Sequence, residues 1–569
     1  MLLSSEFFEF SFQELLIIIL YEASGDRWIF WCANGIIITV SAILFFLLIQ
    51  RIRLRKFAKI ALISVYSILL IFFVININQQ TDSLDDYNSS YEYMIAKNKI
   101  AFLAQSTFNS YTNKRELVNQ DTNVVLNKIN SFRQKYEEKG FISVEYPLIR
   151  KKIDANVLGE QFVKKEIKPN IVFVVCESLS SGFCGKNALF HMTPFLDSLI
   201  DHSLYWENCF SSSSRTYGVL PSLLGSIPSG DVDRGFINMN IEGKARYPSH
   251  ISIFRNLEEN AYSSNYFYGG WGEFDHVQSF MNYNGLDHFY DKSTFDTSMY
   301  SLNREREDDK IWGYNDKDLF RHSFEKLGTH HDSSYLTVYQ TLSVHSPYNM
   351  VESQYCDTEY IKRRYKQVGV DVQLAQKYMS PGFIRSVIFA DDALKEFFNQ
   401  YKMRADFENT IFIITGDHTL GLSFGHDYLK RYRVPLIIYS PLLKTSKHYK
   451  GVVSHFDVLP SLLSLLDENF DVNINLWQHY LGIGLDTSST FKANRMIPMN
   501  IFRENAPKFI YKDYVVIGQD VYKFGDNFTF TKLDVGALKD EVIEVFQDYL
   551  VVNNYVCTKN KLWDDRFWR

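Results

Sequence analysis

Cysteine is sparse in this chain. Six thiols, Cys32, Cys176, Cys184, Cys209, Cys356 and Cys557, are scattered over 569 residues. None forms a CxxC pair, which excludes a zinc ribbon, a thioredoxin-like redox centre and a small disulfide scaffold. Cys184 and Cys209 are candidates for pairing in an oxidising compartment, set against the plainer reading of buried free thiols. An excess of positive charge is missing too: 60 Lys+Arg stand against 66 Asp+Glu, a net charge of −6. That balance excludes a general nucleic-acid binder. The mean hydropathy of −0.18 leaves most of the chain water-soluble, so any membrane part must be local. No short apolar core with a small-residue cleavage site is visible, so a signal peptide is not expected.

What is present at the N-terminus is two long apolar runs, 29–49 and 57–77. Each is long enough to cross a hydrocarbon core of ~30 Å as a helix. Arg51, Arg53, Arg55, Lys56 and Lys59 lie between or at the edge of these runs, with no acid among them. The positive-inside rule puts that loop in the cytoplasm and both outer flanks outside. Glu6, Glu9, Glu14, Glu22 and Asp26 in the first flank suit the outer side. Residues 1–78 therefore read as a multi-pass membrane anchor and 79–168 as a polar helical stalk or linker. Residues 169–485 read as an outward-facing catalytic domain, and 486–569 as a small C-terminal subdomain. The aromatic-rich, Lys/Asn-rich composition suggests an AT-rich bacterial genome, and the expected location is the bacterial cell membrane with the bulk of the chain on its outer side.

At Pro169 the pattern changes. Ile171–Val175 (IVFVV) is a continuous apolar, β-branched run, as expected of a central parallel strand covered on both faces. It ends in Cys176-Glu177-Ser178, and a second such run, Thr410–Thr415, ends in Gly416-Asp417-His418. Further runs at Tyr335–Tyr339 and Val434–Tyr439 alternate with helical segments such as Pro194–His202 and Asp391–Tyr401. The expected fold is an α/β sandwich with a mostly parallel sheet, followed by a hairpin at 508–522 and an amphipathic helix at 538–556. Ligand-binding groups of such folds lie beyond the C-terminal ends of the strands. Glu177, Asp417 and His418 are so placed, and their oxygen and nitrogen donors suit a divalent ion such as Mn²⁺ or Zn²⁺. Between them, Thr216 opens a helix over Val219–Leu224. Locally it reads as a helix cap, or as a nucleophile whose attacked group would face the helix dipole.

These segments occur in one order: Asn170–Ser178, Thr193-Pro-Phe-Leu-Asp197, Arg215-Thr216, Gly416-Asp-His418 and Arg433-Val-Pro435. The chain thereby resembles the lipoteichoic acid synthase branch of the sulfatase-like, alkaline phosphatase superfamily, from about residue 169 to 466. The resemblance implies a sulfatase/alkaline-phosphatase-like α/β fold and transfer of a phosphoglycerol head group through a phospho-threonine. It makes Glu177, Thr216, Asp417 and His418 the ligands of one metal ion, Mn²⁺ first, with Zn²⁺ or Mg²⁺ as alternatives. It also makes Thr216 the nucleophile and His345, in Leu342-Ser-Val-His-Ser-Pro-Tyr348, the histidine that contacts the phosphate.

The chain departs from that branch where the synthases carry His-Gly-Asp followed by Trp and Arg. Here the segment reads Tyr268-Gly-Gly-Trp-Gly-Glu-Phe-Asp275-His276. The metal and nucleophile survive this change but the head-group identity does not, and the segment resembles the broader phosphoglycerol- or phosphoethanolamine-transferring relatives. Candidate substrate contacts are Arg215, Trp271, Asp275, His276, His426 and His455, with packing as the competing role for each. Only two spans are read here, against five usual in the synthases. A sulfatase proper needs Cys/Ser-x-Pro-x-Arg, and Tyr217-Gly-Val-Leu220 after Thr216 supplies neither Pro nor Arg. The resulting expectation is a membrane-anchored phosphotransferase with a phospholipid donor and an envelope glycolipid or glycan acceptor. The alternative is a phosphodiesterase or sulfuric ester hydrolase with water as acceptor.

Overall fold

The structure is a computed structural model and describes residues 122–568. Excepted are 136–139, 152–154, 187, 214, 228–237, 240–244, 301, 303–311, 329–332, 420–428, 500–507 and 519. The expected spans at 29–49 and 57–77 lie outside the described residues. Among the described residues no helix is long and apolar enough to cross a membrane.

In chain order the elements that matter begin with α1 (Thr122–Lys135), β1 (Asn170–Cys176), α2 (Pro194–Ile200), β2 (Leu204–Phe210) and α3 (Thr216–Gly225). Then come β3 (Ser263–Tyr268), β4 (His288–Tyr290), α4 (Asp316–Leu327), β5 (Tyr335–Gln340), α5 (Thr358–Val368) and α6 (Pro381–Tyr401). They are followed by β6 (Thr410–Gly416), β7 (Arg433–Tyr439), β8 (Lys447–Tyr449), β9 (Val453–Ser454) and α7 (Val458–Phe470). The last group is β10 (Met496–Pro498), β11 (Lys508–Tyr511), β12 (Tyr514–Ile517), β13 (Asp520–Phe524), β14 (Phe530–Leu533) and α8 (Ala537–Thr558).

The central sheet runs β8-β2-β7-β6-β1-β5-β3-β4, with β9 also on β2. The apolar run of β1 divides by the two-residue period of a strand. Ile171, Phe173 and Val175 enter one core with α3, α7 and α8, while Val172 and Val174 enter the other with α2, α4 and α6. Strand β6 divides the same way, Ile411 and Ile413 against Phe412 and Ile414. Each such fully buried side chain contributes ~1.5–3 kcal/mol relative to an exposed one. A three-layer sandwich follows, because both faces of these strands must be covered. The sheet is mostly parallel, as expected, and mixed through one reversed strand. β1 is parallel to β5 and β6, but β7 is antiparallel to both β6 and β2. An apolar run such as Val434–Tyr439 shows that a strand is buried and carries no mark of its direction.

Strands β10 to β14 form a five-stranded antiparallel sheet in sequence order, so the segment expected as one hairpin supplies β11, β12 and most of β13. Phe509 of β11 packs on Phe546 and Tyr549 of α8, with ring centroids 5.1 and 5.4 Å apart. Helix α1 falls in the segment read as exposed helix, yet it buries Ile129 and Phe132 in the core that α8 shares. Cys176, Cys184 and Cys209 are buried thiols outside any disulfide.

Candidate metal centre and active site

The site grows out of strand register. β1 and β6 are parallel neighbours with Cys176 level with Gly416, so the next residues, Glu177 and Asp417, emerge side by side at the C-terminal edge. Gly416 is required there. A Cβ at this position would stand 2.0 Å from the Leu179 carbonyl oxygen, so only glycine lets β6 lie against the 177–179 turn. Ser178 adopts φ 57° in that turn. It donates its backbone N–H to Asp417 Oδ1 (2.8 Å) and its hydroxyl to Glu177 Oε1 (2.9 Å). The His418 N–H donates to the same Asp417 oxygen (2.6 Å).

Helix α3 delivers the fourth group. Arg215, extended at φ −138°, precedes the helix, and Thr216 is its first residue. The serines before it fasten the loop: the Ser212 and Ser222 hydroxyls lie 2.6 Å apart, and Arg215 N–H donates to Ser213 Oγ (3.0 Å). Thr216 Oγ1 then lies 2.8 Å from Asp417 Oδ2, 3.4 Å from Glu177 Oε2 and 3.4 Å from His418 Nε2. Glu177, Asp417 and His418 are buried while Thr216 is half-buried, so Thr216 is the most accessible member of the cluster.

One ligand atom from each of Glu177, Asp417 and His418 lies within 4.8 Å of the others. Burial, and then the charge of Asp417 beside it, hold the Glu177 carboxyl well above its ordinary range. Two buried carboxylates facing one imidazole and one hydroxyl leave negative charge uncompensated, and this donor set fits one small divalent cation.

The remaining expected residues fall in different places. His345 lies in the loop after β5, and Thr341 of that loop accepts the Glu177 N–H (2.9 Å). Its Nδ1 is 2.8 Å from the Ser346 carbonyl, which can only accept, so the neutral ring carries its proton there and its lone pair on Nε2. Trp312 meets the ring edge-on at 5.0 Å, and Phe274 meets Trp312 at 5.1 Å. Trp271, in the loop after β3, is 53% exposed, with the Lys292 ammonium 5.4 Å from its ring centroid. His276 is half-buried at φ 58°, in the same loop. The side chain of Asp275 and all of His426 lie outside the described residues. His455 is fully buried, with Nε2 3.0 Å from the Thr415 hydroxyl, and burial pushes its pKa down to about 3. It has no exposed face to offer a substrate.

Sequence reasoning missed Ser178, Thr341 and Asp316, which hold the site from behind. Asp316 Oδ1 accepts from the Leu342 and Ser343 N–H groups (2.8 and 3.0 Å), and Ser343 Oγ accepts from Asp316 N–H (2.9 Å). Only the serine beside Glu177 carried any signal, as a polar residue adjoining a candidate ligand.

The mixed sheet between helical layers, with its donors at the strand ends, is a fold of the alkaline phosphatase type. The sulfatase family model matches residues 169–468, more than half of the chain, and the chain belongs to that family. Its curated relatives include lipoteichoic acid synthases. It is 27% identical over 333 residues to lipoteichoic acid synthase 2 of Bacillus subtilis, covering 54% of this chain and 46% of that one. It is 24% identical over 390 residues to lipoteichoic acid synthase of Staphylococcus aureus, covering 64% and 53%. The chain thus spans about half the length of the curated relatives it matches. Among solved structures, an alkaline phosphatase superfamily protein from Vibrio parahaemolyticus aligns with a TM-score of 0.57 at 18% identity, over 78% of this chain and 98% of that one. A lipoteichoic acid synthase from Listeria monocytogenes aligns at 0.50 and 17%, over 70% and 96%.

Proposed function

We propose that this chain is a membrane-anchored, metal-dependent phosphotransferase. It moves a phosphoglycerol or phosphoethanolamine head group from a phospholipid to an envelope glycolipid or glycan through a phospho-Thr216 intermediate. The observation that carries this reading is the Thr216 hydroxyl, at the start of α3, within 3.4 Å of Glu177, Asp417 and His418 together. A divalent cation, Mn²⁺ foremost, held by Glu177, Asp417, His418 and Thr216, would supply charge neutralisation at the attacking oxygen and at the phosphoryl group.

Thr216 gives up its proton and its oxygen attacks phosphorus; the bond from phosphorus to the diacylglycerol oxygen breaks. The start of α3 presents backbone N–H groups and positive dipole to the phosphoryl oxygens. His345 takes the Thr216 proton on Nε2 and gives it to the leaving oxygen; it then takes the acceptor hydroxyl's proton as that hydroxyl attacks phosphorus, and returns it to the Thr216 oxygen as the bond from phosphorus to Thr216 breaks. A phospholipid donor fits an enzyme held at a membrane by the two apolar runs of its sequence.

The test is intact mass of the purified chain after incubation with Mn²⁺ and a phospholipid mixture. The expected result is an added phosphoglycerol or phosphoethanolamine mass, localised to Thr216 and absent from Thr216→Ala. Phospholipid consumed without an adduct would transfer the reading to hydrolysis with water as acceptor.

A further inference from the structure

Away from the Thr216 cluster, α5, the short helix at Val372–Ala375 and the start of α6 border an open groove of about 710 Å³ that the transfer reading does not use. That volume is within the ~300–1,000 Å³ usual for small-molecule sites. Helix α5 is amphipathic yet buries none of its residues. Ile361, Tyr365 and Val368 recur at helical spacing and are half-buried, while Lys362, Arg363 and Lys366 are exposed. The groove is lined by Ile361, Tyr365 and Val372 on its apolar side and by three cations, Lys362, Lys366 and Arg385. Asp371 is the one acid on the lining, and its carboxylate already accepts the Leu374 N–H (3.0 Å). Glu359 pairs with Lys362 at 3.0 Å, but both are exposed, and water screens such a pair enough to leave Lys362 available to another anion.

A polyanion alone would have no use for the apolar side, and an apolar guest alone would have no use for three cations. We propose that this groove seats an anionic phospholipid, its phosphate among Lys362, Lys366 and Arg385 and an acyl chain along Ile361, Tyr365 and Val372. The seat is joined to the His345 loop. Arg385 Nη2 donates to the Tyr348 carbonyl (2.8 Å), and Tyr348 N–H donates to the His345 carbonyl (3.0 Å). Gly382 lies so close that a Cβ there would come within 3.3 Å of Tyr348 Cβ. Lipid on Arg385 therefore bears on the wall that carries His345.

The experiment uses the full chain in detergent micelles, photolysed with a diazirine-acyl phosphatidylglycerol or with its phosphatidylcholine counterpart, and maps adducts by peptide mass spectrometry. Adducts on peptides covering 358–376 are expected with phosphatidylglycerol. They should fall by about thirtyfold with phosphatidylcholine or in Lys362→Gln/Lys366→Gln, which removes two of the three cations that would face the anionic head group. Arg363→Gln, exposed and off the lining, controls for folding and should label like the parent. Thr216→Ala should also label like the parent, so failure of the transfer chemistry leaves this outcome readable. Adducts confined to other peptides, equal labelling by both lipids, or equal competition by a chain-free glycerol phosphate polymer would each overturn the proposal.

Discussion

At the scale of single residues, Asp417 connects more of the site than any other side chain described. One oxygen accepts from two backbone N–H groups and the other from the Thr216 hydroxyl. These two duties can be separated. In Asp417→Asn the carbonyl oxygen can keep both backbone bonds, so the 177–179 turn stays in place. The amide nitrogen then replaces the oxygen that faces Thr216, and it can neither accept that proton nor bind a cation. The variant should fold normally and lose Mn²⁺ affinity by more than the ~10–100-fold that loss of an outer hydrogen bond costs. Calorimetric titration of the purified chain with Mn²⁺ checks this without any turnover; unchanged affinity would remove Asp417 from the donor set. His455 shows the limit of reading single residues. It follows a short strand, as a site residue would, but a histidine turned into the core and one turned toward a cleft look alike in sequence.

At the scale of elements, the strands of the site were legible because β1 and β6 are covered on both faces and therefore spell continuous apolar runs. Their ends, Glu177 and Asp417-His418, could be located from the same runs. The direction of β7 was not legible, nor was the support given by α4. Asp316 sits in a sequence of alternating charges, DKDLF, where nothing distinguishes a fully buried carboxylate from its solvated neighbours. Burial raises its pKa to about 6, against the lowering effect of the bonds from Leu342 and Ser343. The sign follows: a folded-state value above the unfolded ~3.8 means that the folded chain binds the proton more tightly. The associated stability is fully present below about pH 4 and is lost as pH rises through about 6. Asp316→Asn keeps an oxygen for both N–H groups and cannot ionise. It should lack this decline, a difference on the order of 3 kcal/mol across that window. Unfolding midpoints of parent and variant from pH 4 to 7 provide the check. Asp391, pushed up to about 7, adds a decline of the same sign, so the variant's profile should flatten without becoming level.

At the scale of the whole described molecule, the chain closes on itself through α1 and α8, more than 400 residues apart in sequence. α1 is so rich in Asn, Lys and Gln that it reads as solvated helix, and the partner for its buried side lies at the far end of the chain. The contact is partly ionic. Asp548 of α8 is fully buried, bonded by the Ser131 hydroxyl (2.6 Å), Lys128 (2.7 Å) and Lys135 (3.3 Å). The two lysines keep a quarter to a third of their surface in water, whereas the carboxylate keeps none. Removing the two sides should therefore have unequal costs. With Asp548→Asn the lysines turn outward and rehydrate, and the Ser131 bond survives, for a loss of about 1 kcal/mol. With Lys128→Met/Lys135→Met a carboxylate stays in the interior with one hydroxyl for company, and a loss of about 3–5 kcal/mol is expected. Denaturant midpoints of the two variants under one set of conditions decide the matter. Equal losses would mean that Asp548 reaches water when its partners leave, and that α1 is held by Ile129 and Phe132 rather than by charge. In either case Mn²⁺ binding measured on the folded variants should match the parent, because the proposed metal ligands stand on β1, β6 and α3, none of which depends on this ion pair.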